Sequence, residues 1–149
     1  MIGRLDDYLR EVCADNEEAL GEPEIGMAGL AVAKEAYRIY REEGYEATLL
    51  VAALRGTHHL AGLTGGKLIV SIHPAWQKAL LSDPPAREEA IDQPVPPQIM
   101  EKLRRVPELK KAFDAQGLSE REMIRFGLTQ RTLSQFVESG WKLLEQFGV

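Results

Sequence analysis

An α/β, helix-rich fold is predicted by three observations on the 149-residue sequence. Two short continuous apolar runs, Ala47–Ala53 (ATLLVAA) and Leu68–Ile72 (LIVSI), have strand length and lack the 3-4 spacing of a helix face. Amphipathic helical stretches alternate with them, the order of βα units on a parallel sheet. Beyond a Pro-rich stretch, every remaining segment reads as helix.

Taken in order, Arg4–Cys13 predicts a short helix with Leu5, Tyr8, Leu9 and Val12 on one face. Ala14–Met27 is polar, contains Gly21, Pro23 and Gly26, and predicts a loop. From Gly29 to Glu43 the spacing of Leu30, Ala33, Ala36, Tyr37 and Tyr40 predicts a helix, with Gly44 where a helix-ending glycine belongs. The Ala47–Ala53 run fits a parallel strand buried on both faces. Thr57 is the expected cap of a short helix through Leu63, which Gly65-Gly66 breaks. The Leu68–Ile72 strand stops at His73-Pro74, and Ala75–Leu81 predicts another helix. Two strands do not close a sheet, so the inner face of each lacks a neighbour.

Pro84, Pro85, Pro94, Pro96 and Pro97 make 83–97 an extended, partly stiff connection. It separates residues 1–82 from a helical segment, 98–149. Helices are expected there over Gln98–Arg105, Glu108–Ala115, Glu120–Phe126 and Thr129–Phe147. Ser119 and Glu122 form a capping-box pattern. Leu133, Phe136, Val137, Trp141, Leu144 and Phe147 recur at helical spacing.

The net charge of −5 argues against nucleic acid as a partner, because a phosphate backbone requires a basic face. The lone cysteine, Cys13, has no second cysteine for an internal disulfide, which fits a reducing, cytoplasmic setting. No Cys/His cluster suits a metal, and no cofactor motif is present. No apolar run reaches the roughly 20 residues that span a bilayer, so no membrane role is expected. Met1–Arg10, with Asp6 and Asp7, is not a secretory signal.

Three stretches carry a family resemblance. Ile2-Gly3-Arg4-Leu5-Asp6-Asp7-Tyr8 is similar to Val-Gly-Arg-Ile-Leu-Asp-Trp-Tyr, found after the sixth barrel strand of transaldolases. Gly29-Leu30 through Tyr37-Arg38-Ile39-Tyr40, with Gly44-Tyr45-Glu46-Ala47, resembles that family's next helix and turn. Ala52-Ala53-Leu54-Arg55-Gly56 resembles its Ala-Ser-Phe-Arg-Asn. The spacing continues without a gap to Leu63-Thr64-Gly65-Gly66 (family Leu-Ala-Gly-Cys), and Ser71-Ile72-His73-Pro74 resembles Thr-Ile-Ser-Pro. The resemblance covers residues 2–81 and implies part of a (β/α)8 barrel: its last two parallel strands and its C-terminal helices.

What the resemblance implies chemically is divided. Transaldolases, transferases of the pentose phosphate pathway, move a dihydroxyacetone unit between sugar phosphates through a lysine Schiff base. That lysine lies on the fourth strand, upstream of where the resemblance begins, and neither Lys67 nor Lys78 matches it. No catalytic residue is therefore assigned. The family's two phosphate-binding arginines correspond to Arg4 and Arg55. Arg55 follows a strand, at the end of a barrel where phosphates sit, and a guanidinium fork suits phosphate oxygens. Two departures weaken the match: Ala53 replaces the serine that holds the phosphate, and Gly56 replaces asparagine.

Other candidates have plainer readings. His58 and His59 are adjacent on a helix, point in different directions, and read as solvated or capping. His73 reads as structural, as do Tyr37, Tyr40, Phe136 and Trp141, in a core or interface. Cys13 has no identifiable base. Three functions remain open: a transaldolase-like protein whose other strands come from a separate chain, a non-catalytic sugar-phosphate-binding module, and a structural homo-oligomer.

Overall fold

A computed structural model describes residues 1–16, 20–84 and 88–148. It is helix-rich, with two short parallel strands. Helix α1 (Ile2–Asp15) leads through α2 (Glu22–Ile25) and α3 (Ala28–Glu42) to β1 (Leu50–Val51). Helix α4 (Thr57–Leu63), β2 (Ile69–Val70) and α5 (Pro74–Ser82) complete the mixed part. Helices α6 (Pro97–Leu103), α7 (Pro107–Phe113), α8 (Glu120–Arg125) and α9 (Gly127–Phe136) follow, then a π-helical turn (Val137–Trp141) and α10 (Lys142–Glu145).

The strands pair parallel, Leu50 with Ile69 and Val51 with Val70, with α4 as the crossover. Each is shorter than its apolar run, because the ladder has only one partner on which to extend. Burial on both faces does not hold. Val51 is 3% exposed and packs with Leu30, Ala33 and Leu63, whereas Leu50 and Ile69 are 55% and 53% exposed. One face of the sheet lies on the helices and the other is open.

Helix α3 ends as its glycine demands. Gly44 has φ +65, and the Tyr45 N–H donates to the Tyr40 carbonyl at 3.0 Å, closing the helix end. The expected loop before α3 contains α2 instead, because Glu24 reaches back to accept the Gly21 N–H at 3.1 Å and Pro23 suits a first turn. Residues 17–19 of that expected loop lie outside the described residues. Thr57 is the first residue of α4 rather than its cap; Gly56 precedes the helix. His73, by contrast, caps α5, its Nδ1 accepting from the Ala75 N–H at 3.3 Å.

The 83–97 connection is partly docked. Ile91 and Val95 are buried, and the Ala90 and Ile91 N–H groups donate to the Thr64 carbonyl at 2.9 and 3.0 Å. Pro85, counted among its prolines, lies outside the described residues with 86 and 87. A second core joins α1 to the helices beyond: Leu5, Leu9 and Ala28 pack with Leu103, Val106 and Leu109. The Ser119–Glu122 capping box forms, with Glu122 accepting the Ser119 N–H at 2.9 Å. The last helical stretch is interrupted by its π turn, and its apolar stripe faces outward: Leu133, Phe136, Trp141 and Leu144 are all exposed.

Leu9→Ala should lower the unfolding free energy by about 2–5 kcal/mol, because Leu9 is fully buried between the helices. Leu144→Ala, on the exposed stripe, should stay within about 0.5 kcal/mol. Urea titration of both variants checks the contrast.

Candidate functional site

The first turn of α1 leaves backbone N–H groups without partners inside the helix. Two of them find carbonyls just past β1: Ile2 N–H donates to Ala52 and Gly3 N–H to Ala53, at 3.0 and 2.9 Å. This close approach requires glycine. A Cβ on Gly3 would lie 2.1 Å from the Ala53 oxygen. Ala53 itself has φ +60, a left-handed conformation that costs a non-glycine residue on the order of 1 kcal/mol. The turn therefore stores strain, and it sets Arg55 beside α1.

Arg55 is claimed by an internal carboxylate. Its Nε and Nη2 donate to Asp7 at 3.0 and 2.5 Å, and Asp7 also accepts from Arg10 at 3.1 Å. Burial pushes the Asp7 carboxyl up, but Arg55 and Arg10 outweigh it and hold the group below its ordinary range. Arg4 donates to Gln135 on α9 and lies 5.0 Å from the Phe136 ring centre. Arg131, also on α9, pairs with Glu11, while its buried Nη1 has no hydrogen-bond partner among the described residues. Arg4, Asp7, Arg131 and Gln135 line a cavity of about 10 Å³, room for one water. Of the two arginines singled out in the sequence, Arg55 is paired with Asp7 and Arg4 with Gln135, so each already has a partner.

Directly behind lies a buried polar junction. Asp6 and His59 are both 0% exposed. One Asp6 oxygen accepts the Gly29 N–H at 2.7 Å, capping the amino end of α3, where a negative charge is favoured. Gly29 also lets Ile2 pack close: a Cβ there would be 2.4 Å from the Ile2 oxygen. The other Asp6 oxygen is 3.0 Å from His59 Nε2 yet accepts no hydrogen bond among the described residues, because that N–H is aimed at the Gly26 carbonyl, 3.1 Å away. His59 Nδ1 accepts the Arg55 backbone N–H at 3.1 Å. A backbone N–H can only donate, so Nδ1 is bare and the ring proton sits on Nε2.

Comparison with protein-family models, with characterised proteins and with solved structures finds no match for this chain. The site must be read from its own chemistry. The described residues contain no group of three His, Cys, Asp or Glu side chains placed to hold a metal ion. Likewise, no described helix is long and apolar enough to cross a membrane.

His58 is exposed, as its solvated reading expects, whereas His59 is buried. The two do not point apart: their rings lie 4.2 Å apart and both Nε2 atoms address the Gly26 carbonyl, at 3.0 and 3.1 Å. The bend of the chain at Gly26 presents one carbonyl to both. Tyr37 is core, as expected, with its hydroxyl accepting the Lys67 N–H at 3.0 Å. Lys67 and Lys78 are both exposed. Residues that the sequence reading passed over are Asp6, Arg131 and Gln135. Asp6 did carry a signal: it falls in the 2, 6, 9, 13 row of the α1 face that also buries Ile2, Leu9 and Cys13.

Burial, and then the neighbouring His59, push His58 below its ordinary value of 6.5. A lowered folded pKa means that protonation opposes folding. This contribution is whole above pH 6.5 and is lost as pH falls through the lower folded value. His58→Gln should therefore flatten the stability loss between pH 7.5 and pH 5, seen as a smaller shift in the urea midpoint than in the parent chain.

Proposed function

We propose that this chain is the C-terminal part of a transaldolase-like (β/α)8 barrel. It covers the last two βα units and the closing helices, and it contributes sugar-phosphate binding through Arg4 and Arg55 rather than Schiff-base chemistry. The observation that carries the reading is a convergence. The Ile2–Arg4 turn is hydrogen-bonded onto Ala52–Ala53, directly after a strand that pairs parallel with the next. Arg55 thus follows the carboxyl end of a parallel strand, the end at which barrels gather phosphate ligands, and the first turn of α1 that carries Arg4 is bonded beside it.

A phosphate would compete with Asp7 for the Arg55 fork. Phosphate carries more negative charge than a carboxylate, and guanidinium binds both through paired hydrogen bonds. Displacing Asp7 is the cost of binding, and Arg10 is in place to keep that carboxylate paired. The closed Arg55–Asp7 fork also favours a second reading, a structural module in which the arginine only braces the fold.

Inorganic phosphate and fructose 6-phosphate should each raise the melting temperature with saturation, and Arg55→Gln should abolish the rise. A flat response supports the structural module. Borohydride treatment with fructose 6-phosphate should leave the 149-residue chain unmodified; a covalent adduct would refute the assignment of no catalytic lysine.

The open sheet face, with Leu50 and Ile69 exposed, calls for cover by further strands from a second copy or a separate chain. Light scattering of the chain alone should give a mass above 16.6 kDa. A stable monomer across dilution counts against the need for a partner.

A further inference from the structure

Between α3, α6, α7 and the 91–95 stretch lies a cavity of about 340 Å³ that shares no lining residue with the arginine cavity. Its size is at the lower end of small-molecule sites. Ala31, Ile91, Val95, Met100 and Phe113 give it an apolar floor.

Its charges do not balance. Five charged side chains line it: Lys34, Arg38 and Arg104 against Glu35 and Asp92. Arg38 is paired with Glu35 and Glu42, and Asp92 with Arg41. That leaves Lys34 and Arg104, neither of which has a carboxylate at ion-pair distance among the described residues. Lys34 Nζ donates instead to two neutral carbonyls, Ala90 at 2.5 Å and Gln93 at 2.6 Å. An ammonium has three hydrogens, so one is left over. Arg104 has its guanidinium carbon 5.3 Å from the Phe113 ring centre, and its side chain makes no hydrogen bond to a described residue, which leaves its donors for a ligand.

We propose that this cavity binds a small organic carboxylate with an apolar body. The carboxylate takes the third Lys34 hydrogen and an edge of Arg104, and the body fills the floor between Ala31, Val95 and Phe113. An inorganic anion would leave that floor wetted, and a neutral apolar molecule would leave both cations with only the more distant Asp92 and Glu35 as counter-charges and no ion pair. Burial already pushes the Lys34 ammonium below its ordinary value, so an incoming negative charge relieves an existing cost. The site is independent of the transaldolase reading and uses none of its residues.

Three probes test it by NMR titration of the full chain: 3-phenylpropionate, its neutral counterpart 3-phenylpropan-1-ol, and inorganic phosphate. Saturable shifts are expected with 3-phenylpropionate, centred on the amides of Ala31, Val95 and Phe113. The alcohol should bind about tenfold more weakly. Phosphate should leave these amides unmoved. Arg104→Gln, an exposed position whose removal breaks no ion pair, should weaken 3-phenylpropionate about tenfold without unfolding the chain. Lys34→Met should do the same where it folds. Absence of saturation, equal binding of acid and alcohol, shifts with phosphate at these amides, or an unchanged affinity in Arg104→Gln would each overturn the proposal.

Discussion

A single buried carboxylate organises the amino-terminal half of this molecule. Asp6 leaves water entirely, a change that is costly for an ion unless donors replace its hydration. One oxygen receives the Gly29 N–H at the start of α3, and the helix dipole adds to that bond. The other lies against the His59 ring without a hydrogen bond of its own among the described residues. His59 in turn holds the Arg55 N–H on one side and the Gly26 carbonyl on the other. Four segments far apart in the chain are tied through one acid and one imidazole: α1, the bend before α3, the turn after β1, and α4. Moving any of them breaks a buried polar contact, which costs about 1–3 kcal/mol.

That tie explains why the site side chains stand where they do. Arg55 cannot drift from α1 because its own backbone N–H is spent on His59. Gly3 permits the same turn to approach within hydrogen-bond distance, and Ala53 bears a left-handed backbone as a consequence. Strain concentrated at one residue beside a cluster of guanidinium groups is a usual mark of a functional location. Asp7 holds the Arg55 fork shut, so the arrangement is self-satisfied. The sheet alongside it contrasts with this order. Its helix-facing side is packed, while its other side presents Leu50 and Ile69 to solvent.

Much of the fold was legible from period alone. The two apolar runs became parallel strands, the Gly44 stop closed α3, and Ser119–Glu122 formed its reciprocal cap. Strand length was overestimated because propensity acts within a segment, whereas a ladder needs a partner beside it. Helix α2 was missed because Gly and Pro mark loops in general, yet Pro also suits a first helical turn and Gly21 needed only its N–H to be capped by Glu24. The docking of Ile91 and Val95 could not be read from a proline count, since proline fixes backbone angles and says nothing about where the intervening apolar side chains lie.

The surroundings of the candidate residues were less legible. Arg4 and Arg55 could be singled out, but their partners could not. Asp7 meets Arg55 and Gln135 meets Arg4 through tertiary packing that no local spacing encodes. His58-His59 misled because adjacent helical residues normally diverge; here a bend at Gly26 brings one carbonyl to both rings. Asp6 was the readable exception, an acid set in an apolar row.

His59 is locked between Arg55, Gly26 and Asp6. Nitrogen-15 NMR of the imidazole at neutral pH tests it most directly. A bare Nδ1 and a protonated Nε2, with the Arg55 amide strongly protected from hydrogen exchange, is the predicted result. A proton on Nδ1, or an Arg55 amide exchanging at the rate of an open loop, would contradict it.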